Sequence, residues 1–218
     1  LFNSTQPTVV PYAKTGEVML RITAKGNNVE ECEKIIAPVL DEICTLLGKH
    51  VYGIDVDSLE EVVVRSLASR HLRIAAAESC TGGLFVKRLT DIPGASDVLD
   101  MSMVTYANDV KVRLGVDPKI ITEKGAVSPE CARALARGIR KASGADIGVG
   151  ITGIAGPTGG TEEKPIGLVY IALSTASGDW VKKTINGRGG SERELVRTMA
   201  TTKALDMVRR LLESGWAL

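Results

Sequence analysis

The feature that most constrains the fold of this chain is the alternation of short apolar segments with helical segments after residue 58. Such alternation predicts an α/β fold, because helices can then cover both faces of one sheet. Ile147–Ile151 is a continuous apolar run, which is typical of a strand buried on both faces. We therefore predict a three-layer α/β/α sandwich with a mixed, mostly parallel sheet. The predicted strands are Arg73–Ala77, Leu99–Tyr106, Ile147–Ile151 and an antiparallel pair, Leu168–Leu173 and Trp180–Ile185.

Capping residues mark where several helices of this sandwich begin. Ser58, with Glu61 three residues later, has the pattern of a capping box. Ser128 followed by Pro129 predicts the start of a helix that runs to about residue 143. Ser191 is the predicted cap of the last helix. Shorter helices are predicted over Gly82–Leu89 and Asn108–Leu114.

The first 56 residues have a different pattern and predict a smaller unit. Residues 1–15 are polar and contain two prolines, so we expect an extended lead-in. Glu17–Ala24 alternates apolar and polar side chains, as a half-buried strand does. Asn28 can cap a helix, and a short strand near Val51 would complete a β-α-β unit. A unit of about 50 residues is small for independent stability.

Composition limits the chemistry available to the chain. Only 2 of the 218 residues are His, so a His-rich metal site or a Ser-His-Asp triad has little to draw on. The net charge of +1 provides no excess of positive charge for nucleic acid or an anionic membrane. The 4 Cys form no Cys-x-x-Cys pair, and no run approaches the roughly 20 apolar residues of a membrane span. We therefore expect a cytoplasmic protein with reduced thiols, and the start at Leu1 rather than Met suggests a piece of a longer chain.

The segment Glu78–Gly83 is the first candidate for chemistry, since it lies where a buried strand ends and a helix begins. Ligands of open α/β sheets bind at such strand ends. Ser79 is placed there like a nucleophile, and the N–H groups of the helix start could stabilise an oxyanion. Alternatively, the segment only caps a helix. Cys80 is a rival nucleophile, although a small residue beside a buried strand is more often part of the core.

A serine nucleophile needs a base, and neither His50 nor His71 lies near the predicted crevice. Lysine can serve as the base when burial lowers its pKa. Lys111 follows a strand that ends at Tyr106, so it can reach the crevice if that strand pairs with Arg73–Ala77. Tyr106 could relay a proton or hydrogen-bond a substrate. The alternative for Lys111 is an ordinary solvated helix lysine.

A glycine-rich stretch, 150–165, follows the most apolar strand, and Thr152 lies at the carboxyl end of that strand. Its glycines could cradle a phosphate, but the Gly-Lys-Ser/Thr of a P-loop is absent, and a long surface loop is the alternative. Lys164 either contacts a phosphate or is solvated. Arg193 and Arg197 share one helix face, where they either bind a phosphate or carboxylate or are exposed.

Several stretches, in order, resemble the carboxy-terminal domain of the CinA family, the nicotinamide-nucleotide amidase (PncC) family. The resemblance covers roughly residue 58 to the C-terminus, and the residues before it resemble the small KH-type linker region of CinA. It implies two domains, 1–56 and 57–218. The stretches are Ala77–Gly83, the Thr105-Tyr106-x-Asn108-x-x-Lys111 segment, Gly125–Ser128, and Thr152–Pro157 followed by Glu163-Lys164-Pro165-x-Gly167.

The resemblance implies an amidase that converts nicotinamide mononucleotide to nicotinate mononucleotide and ammonia, a salvage step toward NAD. It implies Ser79 as the nucleophile and Lys111 as the base. Tyr106 and Thr152 would assist by hydrogen bonding and proton relay, and backbone N–H groups near Thr81–Gly83 would stabilise the oxyanion. The resemblance implies a homodimer and no metal or cofactor. Neither nucleic acid nor a membrane is expected as a partner. The implied substrate-binding residues are Thr81, Gly82, Gly83, Asn108, Gly153, Gly156, Lys164 and Arg193.

Two other functions stay open at the level of the sequence. The KH-like unit could bind RNA beside an inactive amidase-like domain, although the neutral charge and the lack of a clear Gly-x-x-Gly clamp argue against it. A phosphotransferase could hold a nucleotide in the glycine-rich turns and would need Mg²⁺. One departure from the family bears on phosphate binding. Family members commonly carry Gly-Asp-Arg near the last helix, whereas this chain reads Gly-Arg-Gly-Gly-Ser-Glu-Arg over 187–193.

Overall fold

The computed structural model of the chain describes residues 5–187 and 193–215. The chain forms two compact units, Leu1–Asp55 and Val56–Leu218. Within the described ranges, no helix combines the length and the apolar character that a membrane crossing requires. The same ranges contain no group of three His, Cys, Asp or Glu side chains placed to hold a metal ion.

The first unit is an antiparallel hairpin followed by a helix. β1 (Thr8–Lys14) pairs with β2 (Glu17–Thr23), and Gly16, with a φ of 82°, makes the tight turn between them. α1 (Val29–Leu47) follows, and the Asn28 side chain accepts a backbone hydrogen bond of 2.9 Å in its first turn. The predicted strand and the predicted helix cap are confirmed, but no residue of β2 is buried and Val18 is 60 % exposed, so the strand is more exposed than its alternation predicts.

Two predictions for this unit are wrong, and it is β-β-α rather than β-α-β. The expected lead-in contains β1, and no strand forms near Val51, which follows a short 3-10 helix at Gly48–His50. The sequence does not predict β1 as a strand, because only one of its residues, Val9, is buried and no apolar face is apparent. Pro11 is tolerated because β1 lies at the edge of a two-stranded sheet.

The second unit contains a five-stranded sheet. Its strands are β3 (Ile74–Glu78), β4 (Leu99–Val104), β5 (Ile147–Gly153), β6 (Leu168–Ser174) and β7 (Asp179–Ile185). Their order is β4-β3-β5-β6-β7. β3 pairs in parallel with β4 and β5, whereas β6 is antiparallel to both of its neighbours, so β6 alone runs against the other strands of this sheet. The predicted mixed sheet is confirmed.

Helices flank this sheet. They are α2 (Leu59–Ser69), α3 (Leu84–Thr90), α4 (Asn108–Arg113), α5 (Pro118–Glu123), α6 (Pro129–Ser143) and α7 (Arg193–Glu213). The Ser58 and Ser128 hydroxyls each accept a backbone hydrogen bond of 3.2 Å, which confirms both caps. The predicted cap Ser191 lies outside the described residues. The predicted helices do not include α5, although Asp117 and Pro118 carry the same cap-and-proline signal that marks the start of α6.

α6 packs directly on the backbone of the sheet. Gly148 and Gly150 of β5 permit this approach, because a Cβ at either position would collide with a carbonyl oxygen of α6, that of Ala136 or Ala132. α2, α3 and α7 pack against one another and form the third layer. β5 is buried throughout except for its last residue, as its apolar run predicts. With both faces covered, the ends of the strands remain as the place for polar chemistry.

Candidate active site

The carboxyl ends of the parallel strands β3, β4 and β5 meet at one edge of the sheet. Glu78, the last residue of β3, lies opposite Val104 of β4 and Ile151 of β5. The residues that follow β3 and β4 are Ser79 and Thr105, and both are buried. The pairing of these two strands, on which the predicted approach of Lys111 depends, is therefore present.

Ser79 and Lys111 are in direct contact at this edge. Lys111 Nζ lies 3.2 Å from Ser79 Oγ. The same nitrogen donates to the carbonyl oxygens of Thr105, at 2.7 Å, and Tyr106, at 3.0 Å. The Lys111 residue is only 2 % exposed, so it is not a solvated helix lysine. We refer to these two residues as the Ser79–Lys111 pair.

Burial shifts the Lys111 amine toward its neutral form. Burial lowers its pKa from the ordinary 10.5, and no carboxylate in the described ranges contacts the nitrogen. A neutral amine has two hydrogens and one lone pair. When the two carbonyl oxygens accept the two hydrogens, the lone pair is left for the hydroxyl hydrogen of Ser79. This arrangement is that of a base in contact with its nucleophile.

Cys80 is a poor rival for Ser79. It directly follows Ser79 in the sequence and is only 6 % exposed. Burial, assisted by the Glu78 carboxylate, raises the pKa of its thiol to about 12 against the opposing effects of its own backbone N–H and of Arg193 and Arg197. A thiol reacts as the thiolate, and burial disfavours the thiolate of Cys80 at neutral pH. The geometry and the protonation state both favour Ser79.

The Glu78 carboxylate occupies the anion-binding position at the start of α3 that the sequence predicts. Its carboxylate is fully buried. One oxygen accepts hydrogen bonds from the N–H groups of Gly83 and Phe85, and the other accepts from the N–H of Val86, each at 3.1 Å. The carboxylate thus satisfies backbone donors at the start of α3 that have no partner within the helix.

This capping corrects the predicted oxyanion donors. The N–H of Gly83 is engaged by the carboxylate, and the N–H of Gly82 donates to the carbonyl oxygen of Ser79 at 3.1 Å. Neither glycine can therefore serve an oxyanion without giving up a bond. In the described part of the chain, the N–H groups of Cys80 and Thr81 have no backbone acceptor and remain as candidate donors. The Thr81 side chain is fully buried, and its Oγ1 has no partner among the described atoms.

Tyr106 contributes to the Ser79–Lys111 pair through its backbone carbonyl rather than its phenol. The residue is 60 % exposed, and its hydroxyl oxygen accepts a hydrogen bond of 3.0 Å from Arg193. Arg193 also donates to the Gly156 carbonyl oxygen at 3.0 Å. Arg193 thus joins the turn after β4 to the loop after β5. No described hydrogen bond links the phenol to the pair, so the predicted proton relay has no geometric support.

No hydrogen bond among the described residues joins Thr152, Gly153 or Asn108 to the pair. Thr152 is 1 % exposed, and its hydroxyl donates to the Ala126 carbonyl oxygen at 2.8 Å, which joins β5 to the segment before α6. A Cβ on Gly153 would lie 2.6 Å from the Leu168 carbonyl oxygen, so this glycine is needed for the pairing of β5 with β6. Asn108 is the exposed first residue of α4.

Several cations around the site have only neutral partners. Arg197 donates to the Thr81 carbonyl oxygen from Nε at 3.2 Å and from Nη2 at 2.8 Å. Lys164, on the loop after β5, donates to the Lys124 carbonyl oxygen at 2.6 Å. Neither these side chains nor Arg193 contacts a carboxylate in residues 5–187 and 193–215. Positive charge without a counter-charge around a crevice favours an anionic ligand.

Sequence reasoning gave no role to two residues that shape this site. Glu78 has an available signal, since an acidic residue ends an otherwise apolar strand five positions before the glycine at a helix start. Thr105 holds Lys111 through its backbone carbonyl. A backbone contact leaves no trace in the type of side chain, so the sequence offers no signal for Thr105.

Comparison with known proteins agrees with the two units. Residues 56–212 match the CinA C-terminal domain, and residues 1–53 match the KH domain of damage-inducible protein CinA. A CinA-like protein of Desulfovibrio desulfuricans is 48% identical over 223 residues, which cover 100% of this chain and 52% of the relative. A CinA-like protein of Kosmotoga olearia is 48% identical over 211 residues, 96% of this chain and 50% of the relative. The chain thus spans about half the length of these relatives.

Solved structures show the same fold. The competence/damage inducible protein CihA of Agrobacterium tumefaciens has a TM-score of 0.67 at 37% identity, and the match covers 73% of this chain and 99% of that one. A CinA superfamily protein of Klebsiella pneumoniae has a TM-score of 0.68 at 29% identity, over 72% of this chain and 96% of that one. The chain belongs to the CinA family.

Proposed function

We propose that this chain is a nicotinamide-nucleotide amidase, which hydrolyses the carboxamide of nicotinamide mononucleotide to nicotinate mononucleotide and ammonia. The observation that carries the proposal is the buried contact of 3.2 Å between Ser79 Oγ and Lys111 Nζ. Family membership supports the reaction class through the resemblance to the PncC amidases. Serine with a lysine base also suits a chain that has only 2 His.

The first half of the proposed reaction forms an acyl-enzyme. Ser79 Oγ attacks the carboxamide carbon while neutral Lys111 accepts the hydroxyl proton. The negative charge that develops on the carboxamide oxygen needs hydrogen-bond donors, and the N–H groups of Cys80 and Thr81 are the candidates. The protonated Lys111 then gives its proton to the amide nitrogen, the C–N bond breaks, and ammonia leaves.

The second half restores the enzyme. A water molecule attacks the ester carbon, and Lys111, neutral again after ammonia has left, accepts a proton from the water. When the ester bond breaks, that proton returns to Ser79 Oγ. The product carries the carboxylate of nicotinate mononucleotide. Each step uses the same two side chains, and no metal ion or cofactor is required.

The charge of the site supports a phosphorylated substrate. Nicotinamide mononucleotide carries one phosphate, and Arg193, Arg197 and Lys164 are cations whose present partners are neutral oxygens. A guanidinium can exchange a neutral acceptor for a phosphate and gain a charge-assisted hydrogen bond. We propose Arg193, which is exposed and joins the turn after β4 to the loop after β5, as the principal phosphate ligand. The homodimer expected from the resemblance stays a prediction that sedimentation of the full chain tests.

The decisive experiment incubates the chain with nicotinamide mononucleotide in the presence of EDTA and measures ammonia and nicotinate mononucleotide. The proposal expects both products in equal amounts and no loss of rate with the chelator. A rate that needs Mg²⁺ would indicate the phosphotransferase instead. Salt-dependent RNA binding without ammonia release would indicate the binding module.

A further inference from the structure

We propose that Glu78 is the positioning residue of this site, and that its buried carboxylate holds the turn from Ser79 to Gly83 in the shape that directs Ser79 at Lys111. The inference rests on the proposed function, because it takes Ser79 as the nucleophile and Lys111 as the base. Nothing in the family resemblance assigns a role to Glu78. The hydrogen bonds that surround Glu78 support this role.

Glu78 acts through the backbone and does not touch the reacting atoms. Successive residues of a strand point to opposite faces of the sheet. Ala75 and Ala77 belong to the apolar cluster under α6, so Glu78 points to the other face, where its carboxylate meets the start of α3. Ser79 follows and contacts Lys111 instead. The residue is also fully buried, which keeps substrate away from its carboxylate.

The carboxylate closes a short ring around the nucleophile. Its bond to the N–H of Gly83 joins the two ends of the segment that contains Ser79. Within the ring, Gly82 and Gly83 have φ values of 59° and 90°, which favour glycine, and the N–H of Gly82 bonds back to the Ser79 carbonyl. A turn with two left-handed residues has no regular ladder to hold it. The three bonds to Glu78 restrain it, in addition to the bond of 2.9 Å from the Ser79 N–H to the Ile151 carbonyl oxygen.

The backbone of Glu78 fixes the other partner of the pair. Its carbonyl oxygen accepts a hydrogen bond of 2.7 Å from the N–H of Thr105 and one of 3.3 Å from the Thr105 hydroxyl. The Thr105 carbonyl in turn accepts the Lys111 amine at 2.7 Å. One residue therefore connects the turn that carries the nucleophile with the turn that orients the base.

The variant Glu78→Gln tests the carboxylate with almost no change in volume. A carboxamide keeps one acceptor oxygen but places an NH₂ group against a backbone N–H, so at least one of the three bonds is lost. A displacement of about 1 Å at a reacting group costs roughly 10²-fold in rate. We expect kcat to fall by about 10²-fold, with KM for nicotinamide mononucleotide nearly unchanged. Glu78→Asp keeps both oxygens on a shorter arm, and its kcat should lie between those of Glu78→Gln and the wild type.

Ser58→Ala is the matched control, because Ser58 caps α2 in the same unit. It should lower the melting temperature and leave kcat unchanged. A merely structural role for Glu78 predicts that kcat also stays unchanged in whatever fraction of Glu78→Gln is folded. Wild-type kcat in folded Glu78→Gln, or failure of both Glu78 variants to fold, would overturn the positioning role.

A second readout separates this inference from the choice of substrate. A fluorophosphonate reacts with an activated serine: Ser79 Oγ bonds to phosphorus, fluoride leaves, and Lys111 takes the hydroxyl proton. We expect rapid labelling of wild-type Ser79 and labelling slowed by about 10²-fold in Glu78→Gln. Labelling without ammonia release from nicotinamide mononucleotide would reject the substrate and keep the role of Glu78. Equal labelling of the wild type and Glu78→Gln would reject the role of Glu78 and keep the amidase.

Discussion

The two ends of helix α7 use the same residue type in opposite ways. At its start, Arg193 and Arg197 bond, among the residues that the structure describes, only to neutral carbonyl and hydroxyl oxygens of the site. Near its end, Arg209 is 2 % exposed and paired with Asp206 at 2.7 Å and with Glu213 at 2.7 Å. The positive charge at the start of α7 therefore stays available to a ligand. Near the end of α7, carboxylates of the same helix neutralise the positive charge of Arg209.

This contrast separates residues that serve a ligand from residues that serve stability. A buried guanidinium without a carboxylate would be costly, and the pairs around Arg209 remove that cost. Lys111 is buried without such a pair among the described residues, so its surroundings are less neutralised than folding alone would favour, and the exposed Arg193 has no such pair among them either. Changes near the start of α7 should therefore affect catalysis, and changes near its end should affect unfolding.

After removal of the nucleophile itself, the largest effect is expected from Lys111→Met. This change keeps the apolar stem and removes the base, so Ser79 loses its proton acceptor. We expect kcat to fall by about 10²- to 10⁴-fold, as for removal of a general base. Ammonia release measures the change, and circular dichroism checks the fold. Activity close to that of the wild type would show that another group activates Ser79.

The pH dependence of kcat/KM should follow the neutral form of Lys111. Burial lowers the pKa of this amine below 10.5, and only the unprotonated amine accepts a proton. The rate should therefore fall about tenfold for each pH unit below that pKa. It should reach a plateau above the pKa, at a pH lower than a solvated lysine would require. A rate that rises until the ordinary lysine pKa of 10.5 would contradict a desolvated base.

Arg193→Met should raise KM for nicotinamide mononucleotide by about 10- to 100-fold, the worth of one charge-assisted hydrogen bond. The matched control on the same helix is Arg210→Met. Arg210 pairs with Asp206 at 2.9 Å, so its loss should lower the melting temperature and leave KM unchanged. Equal effects of the two variants on KM would remove the distinction between the ends of α7.

The smallest effect on catalysis is expected from Asp206→Asn. Burial raises the pKa of this carboxyl, but hydrogen bonds from Arg209, Arg210 and Lys203 outweigh it and lower the pKa to about 2 from 3.8. A depressed pKa means that ionised Asp206 stabilises the fold above pH 3.8 and that this stability is lost as the pH falls toward 2. We expect a loss of about 2 kcal/mol at neutral pH with kcat unchanged, measured by urea unfolding. Unchanged unfolding in urea would contradict this role for the pairs.

The sequence predicts the α/β layers well because periodic patterns report burial directly. β5 shows this, since a run of apolar residues is buried as expected. β1 has no such pattern, because one face of a two-stranded sheet buries too few side chains to create one, so the sequence does not predict this strand. α5 has too few residues for a period, so only its Asp117-Pro118 start signal could predict it.

The candidate site was predictable where side-chain chemistry carries it. Ser79 and Lys111 were identified from residue type and from the order of strands, and the structure brings them to 3.2 Å. The roles of Thr105, Tyr106 and Glu78 depend on backbone carbonyls and backbone N–H groups. Those groups are identical in every residue except proline, so their use becomes visible only in three dimensions.

The most direct test of the account compares the wild type with Ser79→Ala in one assay with nicotinamide mononucleotide and EDTA. The account predicts that the wild type releases one ammonia for each nicotinate mononucleotide formed. It predicts that Ser79→Ala, with an unchanged circular dichroism spectrum, releases none above the uncatalysed rate. Ammonia release by Ser79→Ala at the wild-type rate, or none from the wild type, would contradict the Ser79–Lys111 amidase.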